Sequence, residues 1–283
     1  MVSRRSFIQT LSLAGASLAL ASPSLNAMTF SSKKQSTGIQ LWTLRPLIEK
    51  DLPGVLQSLH SIGYNSIEPF GFDGEFFGYG AAEFKRICDN IDLTIHSTHS
   101  SVDENNADVL AEKGKEAGLE FLVMPWTDSS ILTTADDYKR FSEKLNRIGE
   151  KVNKSGLRFA YHNHAFEFEL KEEQIPYDIM LKNTDPRLVT FQMDIYWVVK
   201  GGQKPEDYFQ NYPGRFESWH LKDMACDGNS CAVGDGAIDF RYLMKFSKKA
   251  GLKRFFVEQE YFSGTTEIEA VRKSYNYISD NLI

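Results

Sequence analysis

The chain has 283 residues, 42% hydrophobic and 25% charged, with a formal net charge of −6. An acidic balance with no Lys/Arg cluster excludes a nucleic-acid-binding surface. Three cysteines in no metal-type spacing exclude a cysteine-built zinc site.

The first segment reads as an address rather than as fold. Ser3-Arg4-Arg5-Ser6-Phe7-Ile8-Gln9 is similar to a twin-arginine export motif, and the uncharged apolar stretch 11–21 ends in the small residues of a cleavage site, Ala19-Leu20-Ala21. That stretch is too short to span a bilayer, and no cysteine stands by for a lipid, so no stable membrane anchor is expected. The reading is therefore an exported, periplasmic protein with a signal and flexible start over 1–27 and one domain over 28–283. Loss of residues 1–21 removes two arginines and no acid, taking the formal charge from −6 to about −8.

From there, short apolar runs alternate with longer amphipathic stretches. Strands are expected at 38–42, 66–68, 93–96, 121–124, 157–162, 188–194, 218–221 and 255–258. Helices are expected at 52–62, 81–91, 102–117, 135–155, 177–183, 205–211, 240–250 and 267–281. The phrases KEAGLEFL, NKSGLRFA and KKAGLKRFF repeat one pattern of helix, Gly, Leu, strand, with Gly118, Gly156 and Gly251 as helix stops. Eight such units in about 262 residues fit a (β/α)8 TIM barrel, an α/β fold. A doubly wound sheet fits less well, because no GxGxxG turn follows the first strand. Cys226 and Cys231 share one loop and could pair in an oxidising compartment, or remain thiols.

Polar residues gather at the C-terminal strand ends, where a barrel places its site. Glu68 ends the second strand, and His96-Ser97-Thr98-His99 the third. Tyr161-His162-Asn163-His164, followed by Glu167, ends the fifth. Asp194, His220 with Lys222, and Glu258 with Glu260 end the last three. Five of the six histidines lie at such ends. A ring of imidazole and carboxylate at one mouth suits a divalent cation or proton transfer. Each alone has a plainer role: Asp194 as a helix cap, Glu68 paired with Arg45, Lys222 solvated.

In order and spacing, GIQLWTLR, YHNHAFEF, DIYW, WHLKD, GDGAIDF and FFVEQE resemble the xylose-isomerase-like TIM-barrel superfamily, often labelled sugar phosphate isomerases and epimerases. The resemblance runs from Gly38 to the C-terminus. It implies one divalent metal, Mn²⁺ first, with Zn²⁺, Mg²⁺ or Co²⁺ as alternatives. Asp194, His220 and Glu258 would be ligands, with Glu260, two residues on and on the same inward face, as the alternative to Glu258. Where epimerases carry an acid ligand inside strand five this chain has Ala160, so Glu167 or a histidine would supply the fourth. Trp197 stands where they commonly carry a histidine.

The activity so implied is isomerisation or epimerisation of a non-phosphorylated sugar or keto-sugar through an enediolate. The alternatives are a lyase that expels a leaving group from keto-sugars or 3-keto-glycosides, and a non-catalytic secreted sugar-binding barrel. His162, His164 and Glu260 are the candidate acid–base groups, and Lys222 is a further candidate catalytic residue. Trp42, Glu68, His99, Trp126, Asn163 and Trp197 are the candidate substrate contacts. The expected partner is a small carbohydrate, and homo-oligomerisation is left open.

Overall fold

The structure, a computed structural model, describes residues 36–283. The export motif and cleavage site lie outside the described residues. Eight parallel strands form the barrel wall: β1 Gly38–Gln40, β2 Ser66–Glu68, β3 in the segments Thr94–Ile95 and Ser97–His99, β4 Phe121–Met124, β5 Arg158–His162, β6 Val189–Asp194, β7 Ser218–Leu221 and β8 Arg254–Val257. The ring closes through β3. Its first segment pairs with β2 and its second with β4. The break at His96 is a bulge. Ile95 packs outward into the main core, whereas Ser97, two residues on, faces inward and hydrogen-bonds Glu68. This is why strand three runs three residues further than its apolar run suggested.

Strand parity divides the side chains into two populations. Phe159, Tyr161, Val189, Phe191, Met193, Trp219 and Leu221 face the helices and join the large outer core. Inside the barrel, Phe121, Val123 and Ala160 form a separate apolar cluster. Gly38 lets the Phe256 ring approach closely, since a Cβ there would lie 2.4 Å from it. Above this plug the inward positions become polar, up to the mouth.

Helices α1 Arg45–Ile62, α2 Ala81–Asp89, α3 Ala107–Glu116, α4 Ala135–Lys154, α5 Pro176–Asn183, α6 Ile195–Lys200, α7 Pro205–Asn211, α8 Phe240–Leu243, α9 Ser247–Ala250 and α10 Glu267–Asn281 cover the wall. Gly118, Gly156 and Gly251 adopt φ of 80°, 87° and 85° at the stops the sequence marked. The first helix begins earlier than expected and kinks at Asp51, whose carboxylate caps Gly54 N at 3.0 Å ahead of Pro53. Short elements that were not expected include α6, the hairpins Glu75–Phe76/Tyr79–Gly80 and Asp223–Met224/Ser230–Cys231, and a 3-10 turn over Leu41–Leu44 that ends the first strand at Gln40 instead of residue 42. Each is too short for periodicity to register. Cys231 pairs in the second hairpin and Cys226 sits in its turn; both are free thiols, as is Cys88. No helix among the described residues is long and apolar enough to cross a membrane.

The N-terminal end of the barrel is tied by ion pairs. Glu120, just before β4, accepts from Arg254 at the start of β8 at 2.6 and 3.0 Å and lies 3.0 Å from His96. These strands are four apart in the ring, so the link spans the barrel. Glu217 similarly joins Arg158 and Lys253. Partial burial pushes the Glu120 carboxyl up, but hydrogen bonds from His96 and Arg254 outweigh it and bring it down to about 2. A depressed carboxyl stabilises the fold above its unfolded value and ceases to do so as pH falls through the folded one. Glu120→Gln should therefore lower the melting temperature at pH 7. In melts at stepped pH, that deficit should shrink between about pH 4.5 and pH 2; a pH-independent deficit would contradict the ion-pair account.

Candidate metal centre and active site

Parity carries Asp194, His220 and Glu258 to the mouth, each two residues beyond another inward position on its strand. His162 arrives there by the same rule, two residues after Ala160. One ligand-type atom from each of these four lies within 4.8 Å of the others, and all four side chains are buried. His162 therefore fills the place on β5 for which Glu167 was also a candidate. Glu167 is elsewhere: it accepts from the outward-facing Tyr161 hydroxyl and from His164 N, both at 2.8 Å. One turn past the strand, it has left the barrel axis and braces the loop. Burial pushes its carboxyl up to about 7.

Asp194 has two jobs. Its Oδ1 accepts from Trp197 N at 3.1 Å and so caps α6. Its Oδ2 is buried without any hydrogen-bond donor. An orphaned carboxylate oxygen facing two imidazoles and a second carboxylate is a vacancy in the bonding pattern that a cation would fill. Burial raises its pKa further than the neighbouring Lys222 lowers it. His220 lies between two acids, with Nδ1 2.9 Å from Glu258 and Nε2 2.6 Å from Glu68. Burial works against its charge, but these carboxylates prevail and lift it to about 10. His162 is driven well below the ordinary histidine value by burial and by its imidazole neighbours.

Lys222 continues β7. Its Nζ stands 3.1 Å from Glu260, 3.6 Å from Glu258 and 3.9 Å from Asp194, and its closest approach to Glu260 is poorly aligned for a hydrogen bond. The ammonium also lies 4.7 Å over the Trp197 ring. Burial disfavours its charge, yet the three carboxylates more than restore it. Its ammonium is a counter-charge to them.

A cavity of about 430 Å³ opens above the cluster. Trp42, Phe70 and Trp126 wall it, and His99, His162, His164, Glu258 and Glu260 supply its polar surface. Of the residues expected to touch substrate, Trp42, His99 and Trp126 line this cavity. Glu68 does not: it is fully buried below the cluster, held by Gln40, Ser97, Gln192 and His220. Asn163 is also withdrawn. Its amide exchanges hydrogen bonds with the backbone of Asp194 at 3.1 and 3.2 Å, clipping β5 to β6. Trp197 backs the site instead of lining it, with its ring 5.5 Å from that of His164. Burial takes His164 down to about 4. Gln40, Ser97 and Gln192 went unnoticed in the sequence. Gln192 was findable, because it shares its inward face with Asp194 two residues on.

The family model for the xylose isomerase-like TIM barrel matches residues 56–280. The chain belongs to this family. A solved sugar phosphate isomerase/epimerase from Parabacteroides distasonis is 30% identical, with a TM-score of 0.77 over 90% of this chain and 97% of that one. The inosose dehydratase of Clostridium beijerinckii is 24% identical over 155 residues, 48% of this chain and 51% of that protein. The match thus spans about half the length of that curated relative. A structure of the IOLI protein with a bound zinc atom shares the fold at 15% identity and a TM-score of 0.66, over 88% of this chain and 98% of that one.

Proposed function

We propose that the chain is a metal-dependent lyase acting on a non-phosphorylated carbohydrate that carries a carbonyl, from which it eliminates a neighbouring oxygen substituent. His162, Asp194, His220 and Glu258 would hold one divalent cation. Two nitrogen and two oxygen donors suit Mn²⁺, Zn²⁺ or Co²⁺. Once bound, the cation supplies Lewis-acid polarisation of the substrate's oxygen atoms.

The observation that carries the reading is that, among the described residues, Glu260 is the one carboxylate lining the cavity outside this group of four. Epimerisation needs proton exchange on both faces of a carbon. Elimination needs less. One carboxylate takes the proton from the carbon beside the carbonyl, the carbon–oxygen bond to the leaving group breaks, a carbon–carbon double bond remains, and the same carboxylate returns the proton to the departing oxygen. Lys222 orients Glu260 for this. His99 and His164 hydrogen-bond substrate hydroxyls, and Trp42 and Trp126 pack on the sugar's apolar face. No arginine or lysine lines the cavity, which favours an unphosphorylated substrate.

Isomerisation or epimerisation is the second reading. It is favoured by the 30% identity to a structure titled sugar phosphate isomerase/epimerase, with His164 as the second proton-transfer group. A panel of keto-sugars and keto-glycosides in deuterated water, followed by NMR, separates the two. Elimination gives two fragments, whereas isomerisation gives one product of unchanged skeleton carrying solvent deuterium. Deuterium in an intact product and no fragments would overturn the lyase.

Residue roles separate by metal content. Asp194→Ala and His220→Ala should lose bound metal and at least about 100-fold in activity, and Glu258→Gln should weaken the metal. Glu260→Gln should keep the metal and lose about 10²–10⁴-fold in turnover, because an amide cannot carry the proton. Glu167→Gln should match the parent in metal content. Metal loss in Glu167→Gln alone would return the β5 ligand to that residue.

Export by the twin-arginine route is part of the proposal. Replacing Arg4 and Arg5 by Lys should hold the precursor in the cytoplasm, because the receptor reads a guanidinium pair. Unchanged periplasmic accumulation in a fractionation assay would refute it.

A further inference from the structure

Beneath the four-residue cluster lies a polar layer that touches no cavity. Glu68 is completely buried. Its Oε1 accepts from Ser97 Oγ and, at 2.7 Å, from Gln192 Nε2. Its Oε2 accepts from Gln40 Nε2 at 2.8 Å and faces His220 Nε2 at 2.6 Å and His99 Nε2 at 3.4 Å. We infer that Glu68 is the positioning residue of the centre: through direct contact with His220, and through Gln192 with His162, it fixes which ring nitrogen of each histidine carries the proton.

The argument is one of donor and acceptor bookkeeping. An ionised carboxylate only accepts, so Gln192 must present its NH₂ to Glu68. That NH₂ also donates to Ser218 Oγ at 3.0 Å. The Gln192 carbonyl is then forced toward the two imidazoles, 2.7 Å from His99 Nε2 and 3.1 Å from His162 Nδ1. A carbonyl only accepts, so both nitrogens must be N–H. In a neutral His162 ring Nε2 is then bare, and that nitrogen lies 4.0 Å from the orphaned Asp194 Oδ2. On the other side, Glu68 holds the Nε2 proton of His220. The proton that a cation would displace is then the one on Nδ1, beside Glu258. The two outward nitrogens, Nε2 of His162 and Nδ1 of His220, converge on Asp194 and Glu258 because one acid beneath them holds the opposite ring nitrogens as donors. Second-shell carboxylates act on ligand histidines in this way.

The inference rests on the proposed metal reading only for its effect on affinity; the proton positions can be read without metal. In the full chain labelled with ¹⁵N-histidine and stripped of metal, long-range ¹H–¹⁵N spectra should show His162 protonated at Nδ1 and His99 at Nε2. In Glu68→Gln, an amide NH₂ replaces one acceptor oxygen. Either Gln192 turns over and moves the His162 proton to Nε2, or His220 loses its Nε2 proton. One of the two changes must be visible. Gln192→Met removes the relay but keeps the Glu68–His220 contact, so it should release His162 alone and serves if Glu68→Gln fails to fold. Titration with Zn²⁺ should show about 10–100-fold weaker binding in each variant. Unchanged imidazole protonation in the variants overturns the inference, as does metal affinity within twofold of the parent. A parent that binds no metal but whose histidine protons shift as described would sink the metal reading and leave this one standing.

Discussion

The upper half of the barrel depends on mutual neutralisation of buried charge. Glu68, Asp194 and Glu258 are carboxylates placed almost wholly out of water, with Lys222 and His220 among them. An isolated ion at such depth is costly. Here each charge has an opposite within about a hydrogen bond, and His220 touches an acid through each ring nitrogen. The exception is Asp194 Oδ2, a fully buried carboxylate oxygen with no donor. Compensation elsewhere makes that single deficit tolerable, and it points toward the cavity chemistry.

The fold serves this arrangement by confining the apolar work to other places. The outward strand positions and the helices form a continuous core that needs nothing from the axis. Inside, Phe121, Val123, Ala160 and Phe256 fill the lower barrel, so the polar layers above stand on a rigid floor. The strand ends are then clipped laterally. Asn163 binds β5 to the backbone of Asp194, and Asp194 caps α6. Small residues at Ala160 and Gly38 leave room for the groups that matter.

Much of this was legible. Periodicity located all eight strands, and the repeated Gly-Leu phrase located three of the turns between them, because these features depend on local sequence alone. Alternation also placed Asp194, His220 and Glu258 on one face. What the pattern left unplaced shares a cause. Glu68 ends its strand as the others do, so it read as a mouth residue, but its carboxylate is enclosed by Gln40, Ser97, Gln192 and His220, which come from four other strands. Glu167 lies five residues past His162, across a turn whose direction no pattern records. Lys222 was a candidate catalytic group, and the three carboxylates around it come from the ends of two other strands. The bulge at His96 reverses parity on β3, and only pairing with both neighbours reveals it.

The closed floor has a consequence for traffic. Among the described residues, the plug of Phe121, Val123, Ala160 and Phe256 and the Glu120–Arg254 link under it close the lower end, which leaves the cavity walled by Trp42 and Trp126 as the doorway. Anything that reaches Asp194 has passed Trp42 and Trp126, and it returns by the same route. If a bound molecule is cut in two, the outer piece departs first and the inner piece waits behind it. Departure is then ordered by depth, and the inner fragment is the one that blocks the next arrival.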